Sequence, residues 1–179
     1  MANGLHLQFD ANQKHQLDAV ESVVDLFEGL PRAENAAYTL GDEIIPNLPR
    51  FQLFSGDWLF DNLQKIQNRN KIIPEEIEFH LKMDGGMELE GVSNGSCTPF
   101  PHFTIEMETG TGKTYVYLRT IYELRKRYGF SKFVIVVPSI AIYEGVIKNF
   151  EITRDHFRSL YENETVNLIE YEGAKISQL

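Results

Sequence analysis

Seven consecutive residues, Glu108-Thr109-Gly110-Thr111-Gly112-Lys113-Thr114, leave few choices for how the surrounding chain can fold. They follow a stretch, 103–107, that reads as a strand, and they open a segment, 113–127, with helical periodicity. Gly110 and Gly112 can take backbone conformations closed to other residues, so successive amides can turn inward around an anionic oxygen. The helix that follows adds its positive end. Lys113 then supplies a mobile charge for the β- and γ-phosphates of a nucleotide, and the Thr114 hydroxyl can ligate a magnesium ion bridging them. The strict phosphate-loop pattern places a glycine where Met107 stands, a departure that leaves the amide nest intact. A dinucleotide fingerprint does not fit, because its third glycine would fall at Tyr115.

Downstream, strand and helix alternate: 133–137 reads as a strand, 140–150 as a helix, 153–161 as a further helix and 166–169 as a further strand. This grammar predicts an α/β fold, a parallel sheet with right-handed helical crossovers and ligands at the carboxyl ends of its strands. The unbroken Phe133-Val134-Ile135-Val136-Val137 run fits a strand covered by helices on both faces. Ser139 is placed to cap the next helix, and a helix start on the same sheet edge could hold a polynucleotide phosphate. The cluster Arg125, Lys126, Arg127 and Lys132 closes the phosphate-loop helix, where cations complement the dipole.

Upstream, Leu17, Val20, Val24 and Phe27 recur at helical spacing, with Asp10 as the expected cap, Gln13 completing a capping-box pattern, and Gly29 and Pro31 as the stop. A short strand at 51–54 and a helix at 57–68 with Leu59, Phe60, Leu63 and Ile66 on one face come next. Alternation from Ile77 to Met83, the Asp84-Gly85-Gly86 turn, and Met87 with Leu89 predict a β-hairpin. The loop 93–101 marks a boundary, giving three expected regions: 1–30, 31–100 and 101–179.

The 179 residues suffice for one hydrophobic core and exclude a complete two-domain machine. A net charge of −9 argues against indiscriminate adhesion to nucleic acid or anionic membrane. The first ten residues lack a signal-peptide pattern and no apolar run reaches membrane-spanning length, so the expected location is cytoplasmic and no membrane partner is expected. Cys97 is the sole cysteine, and the histidines His6, His15, His80, His102 and His156 have no metal-ligand spacing.

Taken in order, Phe9, Gln16-Leu17-Asp18-Ala19-Val20, Met107 through Thr114 and Val136-Val137-Pro138-Ser139-Ile140-Ala141 resemble the first RecA-like domain of a superfamily-two helicase. The wording is most similar to the Res subunit of type III restriction enzymes. That resemblance implies an RecA-like P-loop fold and places 31–100 as an insertion carrying a helix and a hairpin. It implies ATP and Mg2+ as cofactors, with Glu108, Thr109, Gly110, Thr111, Gly112, Lys113 and Thr114 at the phosphates and Gln16 on the adenine edge. Phe9 or a neighbour would stack on the base, and Gln13 competes with Gln16. Pro138 and Ser139 would touch the DNA backbone; the partners implied are double-stranded DNA and a modification methyltransferase subunit.

Hydrolysis in this family also uses an adjacent Asp-Glu pair and an arginine from a second RecA-like domain. No adjacent Asp-Glu pair follows Lys113, and Glu170 and Glu172 are split by Tyr171. The expected reading is thus an incomplete sheet: the ATP-binding front part of a longer DNA translocase and hydrolase, inactive by itself. Two rivals stay open, a small P-loop kinase and a noncatalytic nucleotide-sensing assembly module.

Overall fold

A computed structural model of the chain describes residues 8–32, 58–72 and 103–170. Helix α1 spans Lys14–Val24 and continues into a 3-10 turn at Asp25–Phe27; α2 spans Trp58–Arg69, α3 Lys113–Tyr128 and α4 Ile140–Leu160. The expected strand at 51–54, the hairpin and Cys97 lie outside the described residues.

Helix α3 is the hub, because its sequence carries apolar side chains on two faces. Val116, Leu124 and Tyr128 pack with Val20 and Val24 of α1 and with Phe130. Tyr115, Leu118 and Tyr122 pack with Phe150 and Phe157 of α4 and with Tyr161. Glycine bounds α3 at both ends: Gly112 has φ +86° and Gly129 +77°, left-handed values that a side chain would resist.

The boundaries differ from the sequence expectations in instructive ways. Asp10 does not cap α1. Its carboxylate accepts the Asn12 amide at 2.8 Å in a local turn, and Gln13 occupies the cap position without a side-chain cap bond. Helix α1 also ends before Gly29, which still adopts φ +94° in the turn that follows. The two helices expected after Ser139 are one: nothing between Phe150 and Thr153 breaks the ladder, and the Thr153 hydroxyl donates back to Asn149 O at 2.6 Å while the residue is fully enclosed. Ser139 caps as expected, accepting the Ile142 amide at 3.4 Å.

No strand ladder forms among the described residues, so the expected parallel sheet is not seen there. The segments 103–107, 133–137 and 164–170 run without helix, and in 133–137 the side chains nevertheless alternate. Phe133 and Ile135 pack against the two clusters built on α3, whereas Val134 and Val136 are 90% and 88% exposed. That is the period of two expected of a strand with one face on a helix. Among the described residues no second helical layer covers the 133–137 segment.

Helix α2, drawn from the expected insertion, docks on the end of α1. Leu59 and Ile66 pack with Leu26, and the buried Asn62 amide donates to Leu26 O at 3.1 Å and Glu28 O at 2.9 Å. Arg69 of α2 and Arg127 of α3 both bond the Asp25 carboxylate, at 2.6 and 3.1 Å. Three of the four residues of the basic cluster are engaged within the chain: Arg127 on Asp25, Arg125 on Glu164 at 3.0 Å, and Lys126 over the Tyr161 ring. No described helix is long and apolar enough to cross a membrane.

Candidate functional site

The glycine-rich turn and the segment before α1 face each other across a cleft of roughly 570 Å³. From the turn and the start of α3 come Thr109, Gly110, Gly112, Lys113, Thr114 and Tyr115. From the other side come Gln8, Phe9, Asp10, Gln13 and Gln16, and α4 contributes Asn149.

The turn is held open by its backbone. Gly110 has φ +83° and Gly112 +86°, and a Cβ built on Gly110 would meet nothing within 4 Å. Gly112 is the opposite case: a Cβ there would lie 2.5 Å from Gln16 Nε2. Gln16 is buried, and that same nitrogen donates to Thr111 O at 3.0 Å. A ring nitrogen of His15 lies 3.3 Å from the same carbonyl. Helix α1 thus braces the turn through consecutive residues at its first turn.

Glu108 enters through its backbone: its carbonyl accepts both the Thr111 hydroxyl and the Lys113 ammonium at 2.7 Å. Lys113 is exposed, so its only cost in leaving that carbonyl for an incoming anion is one solvent-accessible bond. Two left-handed glycines, a helix start and a lysine at the mouth are a donor set that suits a polyphosphate. Residues Gly110, Gly112 and Lys113 would hold the phosphates, and Thr114, half-buried on the first turn of α3, would ligate magnesium.

Beside this lies an aromatic wall. Phe9 stacks with Tyr115 at a centroid separation of 6.2 Å and a 16° tilt, and lies 5.3 Å from the His156 ring. Tyr115 and His156 share a hydrogen bond of 2.9 Å. Burial, reinforced by the nearby Arg119 charge, pushes the His156 pKa below its ordinary value. Burial also raises the Tyr115 pKa, with Arg119 opposing it.

Sequence-expected residues therefore converge: Gln16, Thr109, Gly110, Gly112, Lys113 and Thr114 line one cleft, with Thr111 and Glu108 bracing it through their carbonyls. Gln13 lines it too, exposed, while Gln16 is buried against the turn. Pro138 and Ser139 are exposed and do not line it. Asn149, Tyr115 and His156 escaped the sequence reading, since each sits inside an ordinary amphipathic helix pattern. No cluster of histidine, cysteine or acidic residues able to hold a metal occurs among the described residues.

Comparison with known proteins places the chain. The family model for the type III restriction enzyme, res subunit, matches residues 12–178. The chain belongs to that family. It is 30% identical over 159 residues to the EcoPI Res subunit of Escherichia phage P1, covering 87% of this chain and 14% of that protein. It is 29% identical over 170 residues to the EcoP15I Res subunit of Escherichia coli, covering 92% of this chain and 15% of the relative. A shorter stretch of 67 residues is 54% identical to the StyLTI Res subunit of Salmonella typhimurium, covering 36% of this chain and 7% of that protein. The chain thus spans about a seventh of the length of the EcoPI and EcoP15I subunits. No solved structure matches it.

Proposed function

We propose that this chain is the ATP-binding N-terminal part of a Res subunit, the front of an ATP-dependent DNA translocase in a type III restriction enzyme. The observation that carries the reading is the meeting of two chemistries in one cleft. A phosphate-type turn with Lys113 and Thr114 lies on one side, and ring and amide groups from Phe9, Gln13 and Gln16 lie on the other. The first set suits a triphosphate with Mg2+ and the second a purine. ATP would bring the phosphoryl group whose transfer to water drives such a motor. Lys113 neutralises phosphate charge, the Gly110 to Gly112 amides orient it, Thr114 holds the metal, and Gln16 reads the adenine edge with Gln13 beside it.

By the same reading the extended segments 103–107 and 133–137 are strands of a RecA-like parallel sheet. The open Val134 and Val136 face is where further layers of the parent protein would lie. Regions 1–30, 31–100 and 101–179 are then an adenine-contacting helix, an insertion and the P-loop domain. Pro138 and Ser139 contact the backbone of double-stranded DNA, and the parent works with a modification methyltransferase subunit. Family membership supports this reading over the kinase and sensor alternatives.

The test measures binding and turnover separately. The chain should bind MgATP and release no phosphate, with or without duplex DNA, because no adjacent Asp-Glu pair follows Lys113. Steady phosphate release abolished by Lys113→Ala would show that the chain carries its own catalytic acid and would overturn the division of labour proposed here.

A further inference from the structure

We infer that Arg119 is a positioning residue: it ties the segment before α1 to the phosphate-loop helix and so sets Phe9 at the base end of the cleft. The inference rests on reading that cleft as the ATP site.

Arg119 is only 8% exposed, deep on α3. Its Nη1 donates to Ala11 O at 2.5 Å, and its Nε is buried without a hydrogen-bond partner. Among the described residues no carboxylate pairs with it. A buried guanidinium without an ion pair is costly, and an apolar side chain of similar size would pack there at least as well. The Arg119 guanidinium also lies against the Tyr115 and Tyr161 hydroxyls, and the bond that reaches out of this buried cluster to the segment before α1 is the one to Ala11.

That contact matters because residues 8–10 belong to no helix or ladder. The place of Phe9 is set by side-chain contacts alone, with Tyr115 and His156 beneath the ring and the Arg119 bond two residues further on. Tyr115 and Arg119 are one turn apart on α3, so ring support and backbone tether issue from one face of the helix that begins at Lys113. The charge of Arg119 also reaches His156 and Tyr115, the two groups under Phe9. Losing Arg119 releases the base end of the cleft and leaves the phosphate end, Gly110 to Thr114, untouched.

Two probes separate these ends: MgATP, and inorganic tripolyphosphate, which has no base. Wild type, Arg119→Met, Arg119→Lys and Phe9→Ala are compared by titration calorimetry, with far-ultraviolet dichroism as the check on folding. Arg119→Met should bind ATP about tenfold more weakly, the scale of one charge-assisted hydrogen bond, while its tripolyphosphate affinity stays within about twofold of wild type. Phe9→Ala should show the same selective loss, and the double variant should lose little more. Arg119→Lys, which keeps the charge without the planar fork, should fall between wild type and Arg119→Met for ATP alone. Equal losses for both probes in a folded Arg119→Met, additive losses in the double variant, or an unaltered ATP affinity would each overturn the inference. Should Arg119→Met lose its helical signal, Arg119→Lys decides: an ATP-selective loss supports the assignment, and wild-type ATP affinity refutes it. Wild type binding neither probe would instead defeat the reading of the cleft itself.

Discussion

Gly112→Ala is the substitution for which the structure gives the most detailed expectation. The new methyl meets two penalties at once. At φ +86° an alanine is in the left-handed region, which costs about 1–2 kcal/mol. Its Cβ would also lie 2.5 Å from Gln16 Nε2, so the Gln16 amide must leave Thr111 O. Giving up that bond removes about 1 kcal/mol, and the exposure of a buried amide to an unpaired state adds about 1 kcal/mol or more. Gly112→Ala should therefore destabilise the chain by about 3–4 kcal/mol. The two penalties can be separated by urea denaturation of a double-mutant cycle with Gln16→Ala, since removing the Gln16 amide leaves only the backbone cost. In the Gln16→Ala background Gly112→Ala should cost about 1–2 kcal/mol, a coupling of about 2 kcal/mol. Equal costs in the two backgrounds would refute the argument that Gln16 and Gly112 fill the same space.

Other perturbations follow from the packing. Phe157→Ala empties a site only 1% exposed and walled by Tyr115, Tyr122 and Tyr161, so it should cost about 3–5 kcal/mol in chemical denaturation. Asn62→Leu leaves Leu26 O and Glu28 O without their donor and should cost about 2–3 kcal/mol, with the loss read on α2 by amide exchange. Asp25→Ala breaks two ion pairs whose arginines are 45% and 41% exposed, and solvent screening limits its cost to about 1 kcal/mol, falling further at high salt. His156 has a folded pKa depressed below 6.5, so the unfolded chain takes up its proton first on acidification. Its contribution is therefore fully present above pH 6.5 and is lost as pH falls through the folded value. The Tm of wild type should drop more between pH 7.5 and 5 than that of His156→Gln; parallel curves would exclude the residue as a source of acid sensitivity.

What the sequence discloses and what it conceals divide along a physical line. Local chemistry was legible. The limits of α3 follow from Gly112 and Gly129, the start of α4 from Ser139, and the convergence of Lys113 and Thr114 with the glycines from their adjacency. Interactions that depend on which face meets which were not. Nothing in Asn62 announces that its amide caps two carbonyls of the α1 exit, and Arg119 reads as one more cation on an amphipathic helix until its burial is seen. Asp10 fits a capping-box pattern with Gln13, and the local turn with Asn12 takes its carboxylate instead. The sequence reading parts the helix between 150 and 153, while the Thr153 hydroxyl satisfies itself within the helix and the helix continues. The sheet is the deepest gap. Hydrophobic runs can state that 133–137 is extended, and its alternation of covered and open side chains agrees, but a ladder needs neighbours that a local pattern does not name.

The central claim is that the cleft between Lys113 and Phe9 binds a nucleoside triphosphate with magnesium, and calorimetric titration of MgATP into the wild-type chain and into Lys113→Ala tests it most directly. The account predicts saturable binding by wild type and a loss of at least about tenfold in the variant, the scale of a charge-assisted contact to phosphate. Equal affinity in the two proteins would contradict it.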